Sequence, residues 1–340
     1  MKMKKLNTAI LFLAFMGSLF LVKGSLYAEE QEILKTFKNK TKVTIETFSG
    51  NCIVKKGSGN EIIVRFVHTY PDTGFKPKFL EEGSTLVLKE LRLSGSGSST
   101  WYLTVPEKTG IKFKSISGHF SVAGLKSNIN AKTVSGDINA RDCQGELSLA
   151  SVSGDMDVEN LSGKVNIKSV SSDLEVKNLS GEVQVKSASG DIEAEALEGA
   201  IVVKVASGDI EINNSQGSFE VKTASGDISA VNIIIKKESR FKVASGDVYV
   251  KLAKSASHDL TLASASGDAV LNYNGNPIEG YFEFKAIEDS GKIISPFAFD
   301  KEEEEEKWGK TYLIKSFKRK SNTPKILIHT ASGKAVLKEK

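Results

Sequence analysis

The chain has 340 residues, 40% hydrophobic and 26% charged, which is the composition of an ordinary globular protein with one extended or two compact domains. Its formal net charge of +4 arises from four lysines within residues 1–28, and the remaining chain carries 42 basic and 42 acidic residues. Because recruitment of nucleic acid depends on a clustered basic surface, this neutrality excludes nucleic acid as a partner attracted by charge alone.

Residues 1–28 have the pattern of a secretory signal peptide. Lys2, Lys4 and Lys5 precede an apolar stretch over residues 9–22, which is too short to span a bilayer. The segment predicts cleavage after Ala28, with cleavage after Gly24 and an uncleaved anchor as alternatives. We therefore expect an exported protein, in the periplasm, at the cell surface or outside the cell, with no stable membrane insertion after cleavage.

Residues 29–110 are predicted to form an N-terminal β cap together with the first coils of a repeat. Apolar residues around Gly50 already follow the spacing of the later repeats, and Cys52 occupies one of the positions expected to point inward. The stretches 61–66, 85–88 and 101–105 read as strands joined by turns that contain proline or glycine. Residues 60–105 depart from the repeat period and are therefore expected to form an irregular β cap or a small β domain.

Residues 111–272 carry a Ser-Gly-Asp tripeptide whose middle residue recurs at six successive intervals of 18 residues, followed by intervals of 20 and 21. Degenerate copies lie at 117–119 and 171–173. Glycine suits the unusual backbone angles of tight turns, so the middle glycines are predicted to be structural turns. They are Gly136, Gly154, Gly190, Gly208, Gly226, Gly246 and Gly267.

Apolar residues keep fixed places within each repeat. Counted from the middle residue of the tripeptide, positions −7, −5, −2, +2, +4 and +7 are apolar at 41 of 42 sites in the first seven copies. Within one copy we expect Val185, Ala188 and Ile192 to point inward and Lys186 to point outward. Steps of two residues indicate strands, and a second glycine nine residues after the first divides each unit into two strands.

A single unit of this kind buries too little apolar surface to offset the conformational entropy of its backbone. Stacked units, by contrast, share a continuous core and give interior backbone groups partners on both sides. The sequence therefore predicts an all-β fold, a β-solenoid of the β-helix or β-roll kind with 18-residue coils and irregular β caps at both ends.

Residues 273–340 are predicted to leave the repeat in a hairpin excursion and to return in a closing coil around Gly333. The excursion contains an acidic run over 302–306 and a basic cluster over 315–320, whose charges can offset one another across a hairpin. Such a hairpin would cover the open edge of the sheet, and a partner-binding tip is the alternative.

The repeat resembles a known family at several segments. Residues 133–138 and 223–228 read Thr-Val-Ser-Gly-Asp-Ile and Thr-Ala-Ser-Gly-Asp-Ile, and residues 103–106 read Leu-Thr-Val-Pro. Over most of residues 40–340 the chain is similar to the bacterial "putative adhesin" family of β-strand-repeat proteins, which is built on a domain of unknown function. This resemblance implies an exported or envelope-facing solenoid with an adhesive role, and it supplies no catalytic residue, cofactor or ligand.

The aspartates of the tripeptide form a column that could attract calcium, as in β-rolls with nine-residue half-turns. Each turn offers only one carboxylate, so we predict no metal site and retain five aspartates as weak candidates. They are Asp137, Asp155, Asp191, Asp209 and Asp227. The alternative role is capping of the turn by acceptance of backbone N–H groups, with a lysine column four residues before the turn centre offsetting the repulsion between carboxylates.

No catalytic residue is predicted. A polysaccharide-active β-helix would need a carboxylate pair in a groove built by irregular loops, whereas the repeats over 111–230 have almost no insertions. The four histidines are scattered, and Cys52 and Cys143 are expected to be buried and unpaired. We therefore expect no cofactor and an unknown surface or cell-envelope ligand, either glycan or protein, or self-association. A calcium-rigidified roll and an envelope-stress scaffold are the alternatives.

Overall fold

The computed structural model describes residues 30–71, 74–92 and 96–340. The predicted signal peptide and both predicted cleavage sites lie outside these residues. Within them the regular secondary structure consists of β-strands without an α-helix, so the predicted all-β class is confirmed. Accordingly, no helix that could cross a membrane occurs in the described part of the chain.

The N-terminal region contributes seven strands with buried apolar residues on one face. They are β1 (Gln31–Phe37), β2 (Lys42–Glu46), β3 (Asn51–Lys56), β4 (Ile62–His68), β5 (Phe75–Glu82), β6 (Thr85–Arg92) and β7 (Ser99–Val105). The pairs β1–β4, β4–β7 and β5–β6 are antiparallel, whereas β2 and β3 pair in parallel with β6 and β7.

The repeats contribute eighteen strands that alternate between two sheets. They are β8 (Gly110–Lys114), β9 (Phe120–Ala123), β10 (Ile129–Lys132), β11 (Ile138–Arg141), β12 (Gln144–Ala150), β13 (Met156–Glu159), β14 (Ser162–Lys168), β15 (Leu174–Lys177), β16 (Ser180–Ser189), β17 (Ile192–Glu195), β18 (Glu198–Ser207), β19 (Ile210–Asn213), β20 (Gln216–Ser225), β21 (Ile228–Ile235), β22 (Ser239–Ser245), β23 (Val248–Leu252), β24 (Leu260–Ser266) and β25 (Ala269–Asn272).

Each repeat strand lies parallel to the equivalent strand of the preceding and following units. Val185 of β16, for example, pairs with Ile167 on one side and Val203 on the other, each 18 residues away. We call the sheet of β8, β10 and their equivalents the first sheet, and the sheet of β9, β11 and their equivalents the second sheet. The result is a solenoid-like stack in which each repeat unit adds one strand to both sheets.

The C-terminal region adds five strands, β26 (Gly280–Ile287), β27 (Gly291–Ile294), β28 (Lys301–Lys307), β29 (Lys310–Arg319) and β30 (Lys325–Lys338). Strands β28 and β29 form the antiparallel hairpin, in which Glu302 pairs with Lys315 at 2.7 Å. The hairpin pairs through β29 with β26 and therefore extends the first sheet beyond the repeats.

The two coils nearest the chain ends do not lie at the ends of the stack. Strands β2 and β3 lie between β6–β7 and β8–β9, and β30 lies between β24–β25 and β26–β27. The ends of the stack are therefore formed by strands of the irregular regions, β6 and β7 at one end and β26 and β27 at the other. Antiparallel strands placed there limit further strand addition at sheet edges.

The core consists of the inward columns that the repeat predicts, with one exception. Val183, Val185 and Ile192 are at most 1% exposed, but Ala188, in the −2 column, is exposed. The expectation that the −2 column points inward is wrong, because the two-residue alternation of β16 runs on from Val185 to the buried Ser187 and so turns Ala188 outward. Position −3, occupied by Ser187 in this unit, is buried instead.

Both cysteines are buried and free, as their inward columns predict. Cys52 is fully buried and Cys143 is 2% exposed, and burial raises the pKa of each thiol because the thiolate would lose its hydration. They behave as small apolar core residues of different repeat units.

Candidate functional site along the Ser-Gly-Asp turns

The Ser-Gly-Asp turns stack into a column along one edge of the two sheets. A Cβ added to Gly208 would lie 2.3 Å from the carbonyl oxygen of Gly190, and the φ angle of Gly208 is +141°. A Cβ added to each of the other predicted turn glycines would likewise lie 2.0–2.3 Å from a carbonyl oxygen of the neighbouring turn, which belongs to Ser172 in the case of Gly190 and to a glycine in the others. Glycine is required here because the turns pack backbone against backbone.

The aspartates of the turns form a ladder of hydrogen bonds between successive units, which we call the aspartate ladder. The backbone N–H of Asp209 donates to Oδ1 of Asp191 at 2.9 Å, and the N–H of Asp227 donates to Oδ1 of Asp209 at 2.7 Å. Further along, Oδ1 of Asp268 accepts the N–H of Lys334 at 2.8 Å. The carboxylates thus satisfy backbone donors of the next turn, rather than of their own turn.

The five aspartates considered for calcium all belong to this column. Within residues 30–71, 74–92 and 96–340 no three His, Cys, Asp or Glu side chains are placed so that they could hold one metal ion. Calcium needs six to eight oxygen ligands that converge, whereas the column presents its carboxylates one level at a time.

A row of buried hydroxyl groups accepts hydrogen bonds from the turn glycines on the core side. The repeat pattern alone did not predict this row. Ser151 Oγ accepts the N–H of Gly154 at 2.8 Å, and Thr133 Oγ1 accepts the N–H of Gly136 at 3.0 Å. Both side chains lie at position −3 and are no more than 6% exposed. The recurrence of serine or threonine three residues before the turn glycine was the available signal.

An open groove of about 510 Å³ runs along the second sheet beside the aspartate ladder, and we call it the acidic groove. Its acidic lining comes from four successive units and consists of Asp137, Asp155, Asp157, Asp173, Glu175, Asp191 and Glu193. Arg141 forms an ion pair with Asp157 at 2.5 Å and Lys177 forms one with Glu175, whereas Glu193 has no ion pair within the described chain. The groove therefore offers many hydrogen-bond acceptors and a negative potential.

The lysine column lies on the outer face of the first sheet. It consists of Lys114, Lys132, Lys168, Lys186, Lys204, Lys222 and Lys242. None of the ion pairs in the described residues joins these lysines to the aspartate ladder. Lys204 and Lys222 instead bind Glu220 at 2.9 and 2.8 Å, which lowers the pKa of Glu220 to about 2.

Between the lysine column and the aspartate ladder lies position −2, which carries an apolar residue at every level, exposed at all but the half-buried Ala331. We call this row the apolar column. Phe48 is 59% exposed, and Ile116, Val134, Val152 and Val170 are 42–46% exposed. Six smaller members continue the row to the C-terminal end of the stack. They are Ala188, Ala206, Ala224, Ala244, Ala265 and Ala331.

The fold and the repeated turns define an all-β protein of solenoid-like architecture without helices in its described part. Comparison with protein families gives a more specific assignment. The chain matches the model of the Toastrack DUF4097 family over residues 28–200 and 198–292. The chain therefore belongs to this family, and the resemblance inferred from the repeats is confirmed. No curated protein matches the chain in sequence.

Several solved structures are similar in part. A "putative cell adhesion protein" from Clostridium sporogenes is 10% identical with a TM-score of 0.22, over 92% of this chain and 100% of that one. A "putative lipid binding protein" from Parabacteroides distasonis is 14% identical with a TM-score of 0.32, over 91% and 98%. A "putative adhesin" from Bacteroides fragilis is 13% identical with a TM-score of 0.26, over 92% and 98%.

Proposed function

We propose that the protein is an exported, non-catalytic, adhesin-like protein that binds a surface or cell-envelope ligand along the acidic groove. The single observation that carries this proposal is the groove itself, in which carboxylates from four successive units face solvent in one line. A ligand with repeated hydroxyl or amino groups, such as a glycan or a basic protein segment, can bind such an array at several levels at once. We further infer that the stack is a β-solenoid of 18-residue coils with irregular caps.

The proposal of a binding role without catalysis rests on the regularity of the groove. Its side chains repeat from one unit to the next, and Asp155, Asp173 and Asp191 occupy equivalent positions. A glycosidase instead needs one acid and one base in different environments at a defined separation. Equivalent carboxylates in equivalent environments suit multivalent contact.

Export is proposed from the signal-like segment over residues 1–28, with the periplasm, the cell surface or the medium as destinations. An envelope-stress scaffold that binds a cell-wall component is the second candidate function. Accessibility of the protein on intact cells distinguishes the two, because an adhesin must be reachable from outside whereas an internal scaffold is protected.

The binding proposal is tested with the double variant Glu175→Gln/Glu193→Gln, which removes two charges from the groove while keeping side-chain size. Both residues are exposed, so the fold should be unchanged. Charge-assisted hydrogen bonds contribute roughly 1.5–3 kcal/mol each, so we expect binding of the labelled protein to isolated cell envelopes to weaken at least about tenfold.

The matched control is Glu182→Gln/Glu198→Gln, which removes the same charge from exposed positions outside the groove. This control should bind envelopes like the unmodified protein. Equal weakening by both double variants would show a general effect of charge, and unchanged binding by the groove variant would reject the groove as the binding site.

A further inference from the structure

We propose that the apolar column is the interface of a parallel dimer, in which a second copy of this chain packs the same column against the first. The apolar column lies outside the acidic groove, but the aspartate ladder beside it lines that groove, so carboxylates such as Asp191 are shared with the proposed ligand site. Its basis is that eleven successive levels carry an apolar residue at position −2, ten of them exposed, although folding of the single chain does not require one there. Contiguous apolar surface of this kind marks an interaction site.

Charge selects the partner and its orientation. The lysine column flanks one side of the apolar column, because −4 and −2 are successive outward positions, and the aspartate ladder flanks the other side. From β16 onward both positions lie on one strand, whereas in the earlier units the strand ends at position −4. A two-fold axis parallel to the column exchanges the two sides and keeps the direction of the stack, so each lysine column faces the aspartate ladder of the other copy. A two-fold axis across the column would reverse one stack and place lysine against lysine.

Charged groups that have no partner within one chain fit this arrangement. Lys168 and Lys186 have no ion pair within the described residues, and Asp191 uses Oδ1 in the ladder, with no partner for its Oδ2 in that part of the chain. In the parallel dimer Lys186 of one copy lies level with Asp191 of the second copy. Lysine and aspartate occupy these two positions together at six of the eleven levels, so the match recurs through the middle of the stack.

The size of the column is adequate for a specific contact. Eleven levels at about 4.8 Å give a length of about 48 Å. A band about 13 Å wide would bury on the order of 600 Å² on each copy, which reaches the total of about 1,200 Å² found in small specific interfaces. Alanines over the second half of the column keep the surface flat enough for two backbones to approach.

Cysteine cross-linking tests the geometry directly. A parallel two-fold places each residue of the column opposite itself, so the single variants Val134→Cys, Val152→Cys and Ala206→Cys should all form disulfide-linked dimers under mild oxidation. Glu193→Cys, on the outer face of the second sheet, is the control and should remain monomeric. The native Cys52 and Cys143 are buried and should not react.

Two substitutions test the energetics. Val152→Asp should leave the circular dichroism spectrum unchanged, since Val152 is 42% exposed, and should convert the dimer to a monomer in sedimentation equilibrium. Lys168→Glu/Lys186→Glu should weaken dimerisation at least tenfold, whereas Lys236→Glu/Lys237→Glu, outside both columns, should not.

Three results would overturn the proposal. The first is a monomeric unmodified protein whose three cysteine variants react no faster than Glu193→Cys. The second is cross-linking at just one of the three positions, which indicates an antiparallel or staggered contact. The third is a monomer that binds phospholipid vesicles and loses this binding in Val152→Asp, which would assign the apolar column to lipid.

Discussion

Replacement of Gly208 by alanine is expected to lower the free energy of unfolding by about 2–5 kcal/mol, because it combines backbone strain with a steric clash. Gly208 has a φ angle of +141°, and a Cβ there would lie 2.3 Å from the carbonyl oxygen of Gly190. The obstacle is backbone in the middle of the stack, so it cannot move aside like a flexible side chain. Urea denaturation followed by circular dichroism measures the change.

Gly59→Ala is the matched control, since a Cβ at Gly59 would have no neighbour within 4 Å. This variant should unfold at the same urea concentration as the unmodified protein. A Gly208→Ala variant as stable as Gly59→Ala would contradict the close backbone stacking of the turns. Hydrogen exchange should show the loss of protection spreading from the turn at Gly208 to neighbouring units, as nearest-neighbour coupling requires.

Val185→Asp is expected to destabilise the protein by more than about 4 kcal/mol, because it buries a carboxylate without a partner. Val185 is 1% exposed and lies between Ile167 and Val203 of the adjacent strands. Neither neighbour can donate a hydrogen bond from its side chain. The expected observation is loss of the β-sheet circular dichroism signal, or a large decrease in the urea midpoint.

Lys186→Ala, one residue further along the same strand, should leave the unfolding midpoint nearly unchanged when both proteins are measured at a dilution at which they are monomeric. Lys186 is exposed and has no ion pair within the described residues. Surface substitutions of this kind usually change stability by no more than about 0.5 kcal/mol. Similar destabilisation by both substitutions would contradict the assignment of inner and outer faces.

The sequence was sufficient to predict the repeated core. Alternating apolar residues such as Val183 and Val185 must face one side of a strand, and the 18-residue period then places equivalent residues on neighbouring strands. The turn glycines were equally predictable, because stacking of turns leaves no room for a side chain. Local pattern and global fold agree at these positions.

Other features depend on information that the repeat does not contain. The alternation within β16 continues from Val185 to the buried Ser187, so position −2 faces outward although its residues are apolar. The sequence pattern could not separate an apolar residue needed for the core from one placed on the surface. The placement of β30 inside the final cap depends on pairing between distant segments, which no local period specifies.

The acidic groove was also beyond sequence reasoning. The repeat predicted the aspartate column. It did not predict that Asp157, Glu175 and Glu193 face the same groove from the second sheet. Their common orientation follows from the parallel register of β13, β15 and β17. Once that register is known, the outward acids of successive units must align.

The role of the aspartate ladder is tested most directly by thermal unfolding in excess calcium and then in chelator. Backbone N–H groups already occupy Oδ1 of Asp191 and Asp209, so we predict the same melting temperature in both conditions. A metal at one hundred times its dissociation constant would add about 2.7 kcal/mol of stability. A calcium-dependent rise of several degrees, reversed by chelator, would contradict the ladder and show that the column is a metal site.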